Sequence, residues 1–330
     1  FRPDYSRAGE FRKQMGNPLT IALTATATDK VQSDIIRSLN LSSEEVKIYH
    51  QGIDRPNLRL EAVDVMGDNE KLDAITGTHS KYPGSGIVYF SLIKTLERFS
   101  DLLDRRNLPH EIYHGKLDST QRKATQNRFM NSDGLILATN AFGMGVDKPD
   151  IRFVIHAEVP GSIESYYQEI GRAGRDGSPS LCQLLYDQED LLIHMDFIKW
   201  SNPEPDFYRK IYALLENAGQ KINSLGIDFL REQLVYKIRF DFRLETALSM
   251  LDRHGVTTGS IGQGTIALAA ELPEALVDQD IFEEKLQRDR TKLLGMVNYF
   301  NTKLCRRISI EEYFGFDDQK ACGNCDRCLP

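Results

Sequence analysis

Six short apolar runs, each ending in a polar or small residue, constrain the fold of this chain more than any other feature. They are Leu19–Thr24, Ile87–Ser91, Glu111–His114, Leu135–Thr139, Phe153–Ala157 and Cys182–Tyr186. Runs this short and mostly apolar fit strands buried on both faces. Helix-period segments lie between them. Leu92, Leu96, Phe99 and Leu103 recur at intervals of four, three and four, which marks one face of a helix. Strands alternating with helices predict a parallel sheet with helices on both sides. Ligands of such sheets bind beyond the carboxyl ends of the strands. Polar residues stand at those ends: Thr24 and Thr26 after the first run, Ser91 after the second, His114 and Gly115 after the third, Thr139 and Asn140 after the fourth.

Proline marks the boundaries. Arg55-Pro56 breaks the chain, because a residue before proline avoids helix. One strand before that point does not make a domain, so residues 1–55 read as the tail of a lobe plus a linker, and Phe1 as an internal start. Residues 56–200 form a full α/β lobe, and Pro203 and Pro205 close it. Residues 206–280 turn mainly helical, with helix candidates Asp206–Asn217, Asp228–Ile238 and Arg243–His254. Val256–Ser260 and Thr265–Ala269 then flank Ile261-Gly262-Gln263-Gly264, a hairpin turn. Three helices and a hairpin match the outline of a winged helix and equally a helical insertion carrying one hairpin. Arg231, Lys237, Arg239 and Arg243 give this stretch a basic run, read either as a nucleic-acid surface or as a solvated face. Residues 281–330 resume with a charged helix and end in a cysteine cluster.

The apolar runs reach five or six residues, far short of the roughly 20 that a membrane helix needs, so no membrane partner is expected. The first residues lack the apolar core of a secretion signal, and the cytoplasm is the expected compartment, with nucleoid association in a bacterium. A net charge of −7 offers no global attraction to nucleic acid, so any such partner must meet local clusters of Lys and Arg. Four of the five cysteines, Cys305, Cys322, Cys325 and Cys328, have the spacing C-x16-C-x2-C-x2-C. Without a secretion signal this cluster fits a metal site better than a disulfide frame. Four thiolates leave no open position, which describes a structural metal rather than a catalytic one. Cys182, inside an apolar strand, reads as a buried structural thiol.

The chemistry concentrates in Tyr166–Gly177, YYQEIGRAGRDG. Gly171 and Gly174 let the backbone approach a ligand closely, and Arg172 and Arg175 can both aim planar guanidinium groups at phosphate oxygens. Alone, GRAGR also fits a surface turn with solvated charges. Upstream stands ILATNAFGMGVDKPDIRFVIH, Ile136 to His156. Together the two segments resemble motifs V and VI of superfamily 2 helicases, in the form of the RecQ branch. The resemblance extends to LTATAT at 23–28 (motif III), IDRPN at 53–57 (the linker), GIVYFSLIKTLERFSDLL at 86–103 (motif IV) and YHGKLDSTQRKATQNRFM at 113–130. It resumes at CRR and ACGNCDRCLP, which are similar to the RecQ zinc module.

The resemblance implies two RecA-like lobes with ATP and Mg²⁺ in the cleft between them, and 3′-to-5′ DNA unwinding in repair and recombination. It assigns arginine fingers to Arg172 and Arg175, and a link between nucleotide state and lobe position to Gln168. Gly145 and Asp147 fall near the nucleotide, Asp147 at the ribose, and Thr24 and Thr26 couple hydrolysis to strand movement. Contacts to single-stranded DNA and duplex junctions fall to Ser91, His114, Gly115, Thr139 and Asn140. Zinc, rather than iron–sulfur, is implied for Cys305, Cys322, Cys325 and Cys328. The basic neighbours Lys303, Arg306, Arg307 and Arg327 either guide duplex DNA or are simply solvated.

Two departures stand out. The sequence contains no G-x-x-x-x-G-K-[ST] and no acidic pair of the Mg²⁺ motif, which the family places before FRPDY at 1–5. The chain alone is therefore expected to be inactive as an ATPase, and a non-catalytic DNA-binding protein is the competing reading. The insertion at 206–280 also separates the lobe from its zinc module, so no strand-separating role is carried to Gly262 or Gln263.

Overall fold

The computed structural model of the protein describes residues 8–24, 27–49, 53–143, 146–234, 241–316 and 320–329. The chain divides into two units, one of Phe1–Leu191 with Lys292–Pro330 and one of Leu192–Thr291.

In the first unit, α1 (Ala8–Gln14) and α2 (Asp29–Ser38) precede the sheet. The run predicted as a strand at Leu19–Thr24 is not one. Its backbone enters no ladder, and Leu19, Ile21 and Leu23 are 99%, 77% and 90% exposed. A strand needs a neighbour to satisfy its amides and carbonyls, and none of the described residues pairs with this run.

The sheet is built from β1 (Leu58–Asp64), β2 (Ser85–Tyr89), β3 (His110–Tyr113), β4 (Leu135–Ala138), β5 (Ile151–His156) and β6 (Ser180–Tyr186). Its order is β1-β6-β5-β2-β4-β3, and every pairing is parallel. The crossovers are α3 (Gly67–Lys81), α4 (Ile93–Arg105), α5 (Ser119–Met130) and α6 (Ile163–Ile170). Side chains of β2 and β4 are buried along their whole length. Gly86 in β2 is obligatory, since a Cβ there would lie 1.9 Å from the Phe153 ring. The predicted face of α4 is the buried one, with Leu96, Phe99 and Leu103 fully enclosed. Asp118 caps α5 by accepting the Gln121 amide at 2.8 Å, while the Gln121 side chain bonds back to the Asp118 amide at 3.2 Å.

β1 is an edge strand that the apolar-run criterion misses. Arg59, Glu61 and Asp64 interrupt its sequence, and only Leu58 and Leu60 are buried. Edge strands tolerate this alternation, and their free amides and carbonyls need cover. The C-terminal cysteine loop provides it: the Asp326 amide donates to the Leu60 carbonyl at 3.1 Å, and the Ala62 amide donates to the Asp326 carboxylate at 3.3 Å.

The second unit holds most of α7 (Asp190–Ser201), then α8 (Pro205–Leu225), α9 (Ile227–Gln233), α10 (Arg243–Arg253), strands β7 (Thr257–Thr258) and β8 (Ala267–Leu268), α11 (Glu274–Val277) and the first half of α12 (Gln279–Asn301). Phe207, Ile211, Ile222, Leu230, Leu251 and Val256 form its core. The element order follows the winged-helix outline, but the hairpin is a ladder of two residue pairs. Gly259 permits its turn, with φ +73° and the Thr265 carbonyl 2.1 Å from where a Cβ would stand. The two described arginines of the basic run are paired. Arg231 pairs with Asp228 and Glu245, and buried Arg243 pairs with Asp241 and Glu204. Lys237 and Arg239 lie outside the described residues. Among the described residues, no helix is long and apolar enough to cross a membrane.

Candidate functional site: an arginine loop, a strand-end rim and a cysteine centre

The arginine loop follows α6, which runs from the carboxyl end of β5 back toward its start. The Gly174 amide donates to the Ile151 carbonyl at 2.9 Å and the Asp176 amide to the Pro149 carbonyl at 3.1 Å, which fixes the loop at the amino-terminal end of β5. Gly174 adopts φ +54°, and a Cβ there would lie 2.4 Å from the Asn57 side chain, so glycine is needed. Arg172 is buried, and its Nη1 donates to the Gly143 carbonyl at 2.5 Å. Among the described residues, its Nε–H has no partner. The exposed Arg175 forms an ion pair with Asp147. Gln168 is exposed on α6. The two arginines thus converge on the segment after β4 that contains Gly143 and Asp147. Gly145 belongs to that segment by sequence but lies outside the described residues; Thr26, near the start of the chain, also lies outside them, and Thr24 is described and exposed.

Gly143 was not among the candidates, and its role is steric. A Cβ at this position would come 2.4 Å from Arg172 Nη2. The intruded atom is the tip of a flexible side chain, so Gly143→Ala is expected to displace the guanidinium while leaving the fold intact. The expected result is an unchanged thermal midpoint within about 2 °C and a loss of at least about tenfold in kcat for ATP in a hydrolysis-competent protein. Paired calorimetry and steady-state kinetics check it.

The five strand-end candidates lie together because β2, β4 and β3 are neighbours and parallel. They occupy the carboxyl ends of these strands, away from the arginine loop. Gly115 and Asn140 are exposed, while His114 and Thr139 are each 5% exposed and shape the turns. The Ser91 amide is already engaged: the buried Glu158 carboxylate accepts it at 2.6 Å and the Leu92 amide at 3.0 Å, capping the start of α4. Glu158 escapes a motif reading because it acts on a segment 66 residues away through space.

The cysteine centre joins the start of α13 (Arg306–Tyr313) to the C-terminal loop. The Sγ pairs Cys322–Cys328 and Cys305–Cys325 are each 3.9 Å apart, and all four sulfurs lie within 4.8 Å of one another. A tetrahedron of thiolates about 2.3 Å from one zinc ion has edges of about 3.8 Å, whereas a disulfide needs about 2.05 Å. Amides of Arg306, Cys322 and Asn324 point at Cys325, Cys305 and Cys322 Sγ at 3.4, 3.3 and 3.4 Å and favour the thiolate form. Burial raises the Cys305 thiol, but the amides of Cys322, Ile308 and Arg307 outweigh it and bring it down to about 7. The donor set fits a structural zinc. Cys182 lies apart from this centre, buried in β6, and burial pushes its thiol up.

Three of the four basic residues around the cysteines have structural partners. Arg306 is fully buried, bonded to the Asp326 carboxylate at 2.9 Å through both Nε and Nη2, and to the carbonyls of Tyr299 and Phe300. Arg307 pairs with Asp54, and Arg327 donates to the Phe300 carbonyl. Lys303 is exposed.

Two families match this architecture. Residues 68–177 match the family described as "Helicase conserved C-terminal domain" and residues 271–329 the one described as "RecQ zinc-binding". Among similar curated proteins, the probable ATP-dependent DNA helicase RecS of Bacillus subtilis is 36% identical over 223 residues, 67% of this chain and 45% of that protein. The ATP-dependent DNA helicase RecQ of the same organism is 31% identical over 330 residues, 99% of this chain and 42% of the relative. A putative ATP-dependent RNA helicase, R290, of Acanthamoeba polyphaga mimivirus is 39% identical over 218 residues, 66% of this chain and 39% of the relative. The chain thus spans less than half the length of these relatives.

Proposed function

We propose that this chain, which belongs to the RecQ branch of the superfamily 2 helicases, supplies the second motor lobe and zinc module of an ATP-driven 3′-to-5′ DNA helicase. The observation that carries this reading is the convergence of Arg172 on Gly143 and of Arg175 on Asp147. Two guanidinium groups held at one sheet end, one with a spare N–H, suit the stabilisation of charge developing on a γ-phosphate. Asp147 keeps Arg175 paired until nucleotide arrives and then serves the ribose. Gln168 and Thr24 transmit the nucleotide state to lobe position.

ATP and Mg²⁺ are held, on this reading, by a P-loop lobe that the present sequence does not encode, so the chain alone does not hydrolyse ATP. The exposed Leu19, Ile21 and Leu23 are side chains that such a lobe would bury. At the opposite end of the sheet, Gly115, Asn140 and the Ser91 turn meet the phosphates of single-stranded DNA, with His114 and Thr139 holding the turns. Contacts of this kind bind backbone without reading bases. Work in DNA repair and recombination, in the cytoplasm, follows from the same reading.

Titration of a fluorescent single-stranded DNA with the chain tests the DNA surface. Affinity is expected to fall as salt rises, with a slope of about −0.7 per phosphate neutralised, and RNA of the same length is expected to compete more weakly. Absence of binding at low salt removes the strand-end rim as a DNA surface. Equal competition by RNA favours an RNA-directed motor.

A further inference from the structure

We infer that the zinc module positions the arginine loop, acting through the five-residue segment Ile53–Asn57. This inference rests on the reading of Arg172 and Arg175 as the residues that meet the nucleotide, but its test does not.

Beyond the end of α6 the chain turns through Gly171–Gly174, and the Arg55 guanidinium gathers three carbonyls of that turn. Its Nη1 donates to the Gly171 carbonyl at 3.3 Å, and its Nη2 donates to the Ala173 and Gly174 carbonyls at 2.8 and 3.0 Å. These carbonyls flank Arg172 and directly precede Arg175, so Arg55 fixes the backbone from which both side chains depart. A cation at a helix C-terminus is also favoured by the helix dipole. Asn57 adds bonds to the Gly174 and Ser178 carbonyls at 2.8 and 3.0 Å, and the Tyr167 hydroxyl donates to the Ile53 carbonyl at 2.6 Å.

The same segment is gripped from the other side by the zinc module. Arg307, next but one to the ligand Cys305, donates to the Arg55 carbonyl at 3.0 Å and pairs with Asp54 at 2.9 Å. The Arg307 side chain is 12% exposed but that of Asp54 is 56% exposed, so solvent screens the ion pair and the bond to the Arg55 carbonyl is the firmer part of the grip. The Asn324 side chain reaches the Pro56 carbonyl at 3.5 Å. Arg55 is therefore held through its backbone by the zinc module and grips the arginine loop through its side chain. Removing Arg307 takes away the zinc module's donor to the Arg55 carbonyl, leaving the Leu58 amide at 3.0 Å as its other donor, and leaves all four cysteines and the Arg306–Asp326 pair in place. Arg307 and Arg55 are positioning residues in this scheme, since neither touches the arginine side chains.

Amide hydrogen exchange on the whole chain with zinc bound tests the relay. Arg307→Ala is expected to speed exchange across residues 171–177 about tenfold, the size expected for losing one hydrogen bond to a charged group, while β4 and β5 keep their protection. If only residues 53–57 and 306–313 change and 171–177 do not, the relay is refuted. Should Arg307→Ala fail to fold, Asp54→Asn, at a half-exposed carboxylate, gives the same contrast with a smaller increase. In a protein joined to a P-loop lobe, the same variants should lower kcat with KM for ATP unchanged. Faster exchange at 171–177 with unaltered hydrolysis would leave the relay standing and overturn the assignment of the arginines to the nucleotide.

Discussion

Arg306→Ala is expected to destabilise the sheet unit by about 3–5 kcal/mol, the usual cost of removing one member of a buried ion pair. Arg306 is completely enclosed and donates to Asp326 and to two carbonyls at the end of α12. Its loss leaves the carbonyls of Tyr299 and Phe300 short of a donor and the Asp326 carboxylate without its cation. Asp326 in turn covers β1, so the loss spreads to the sheet edge. At about 2–4 °C per kcal/mol for a unit of this size, the thermal midpoint should fall by roughly 10 °C. Scanning calorimetry of the variant with zinc supplied in excess checks this. A drop under about 2 °C, within the range of an ordinary surface substitution, would show that the pair contributes little to docking the cysteine loop.

In the chain joined to a P-loop lobe, Arg172→Ala is expected to reduce ATP hydrolysis by about 10³–10⁵ in kcat, the usual range for removing an arginine that stabilises phosphoryl-transfer charge. The geometry predicts a large effect from Arg172 itself. It is buried, its Nη1 is anchored on the Gly143 carbonyl, and its Nε–H is left over among the described residues. A positioned donor in a water-poor site stabilises developing charge far more than a mobile one on the surface. Arg175 is more exposed and paired with Asp147, so Arg175→Ala should cost less. Arg172→Lys should recover little, because the compact ammonium lacks the rigid planar fork that holds the Gly143 carbonyl and aims a second N–H in a fixed direction. The fold should survive these changes, so thermal midpoints close to the parent separate loss of chemistry from loss of structure.

Much of this was legible in the amino-acid sequence, for identifiable reasons. β2, β4, β5 and β6 announce themselves because both faces of each are almost wholly buried, while β3, partly buried at the other edge, shows only as a short β-rich run. β1 does not show, because Arg59 and Glu61 lie on its less buried face and Asp64 at its exposed end, which breaks up the apolar run. The run at 19–24 has the composition of a buried strand and fails to become one for want of a neighbour, which no local pattern reveals. The four cysteines were legible from spacing because neighbouring thiolates must reach one ion. The partners of Arg306, Arg307, Arg231 and Arg243 were not, because a sequence shows that a residue is charged but not which carboxylate folds against it. Arg55 and Glu158 were hidden for the same reason: each acts on backbone groups far along the chain.

The account stands on the claim that this chain supplies arginines to a nucleotide held by another lobe. The most direct measurement is DNA-stimulated ATPase activity in three samples: the chain alone, the chain joined to a RecQ-type P-loop lobe, and the joined protein carrying Arg172→Ala. The account predicts no hydrolysis in the first, activity in the second and its loss in the third. Hydrolysis by the chain alone, or full activity in the joined protein without Arg172, would contradict it.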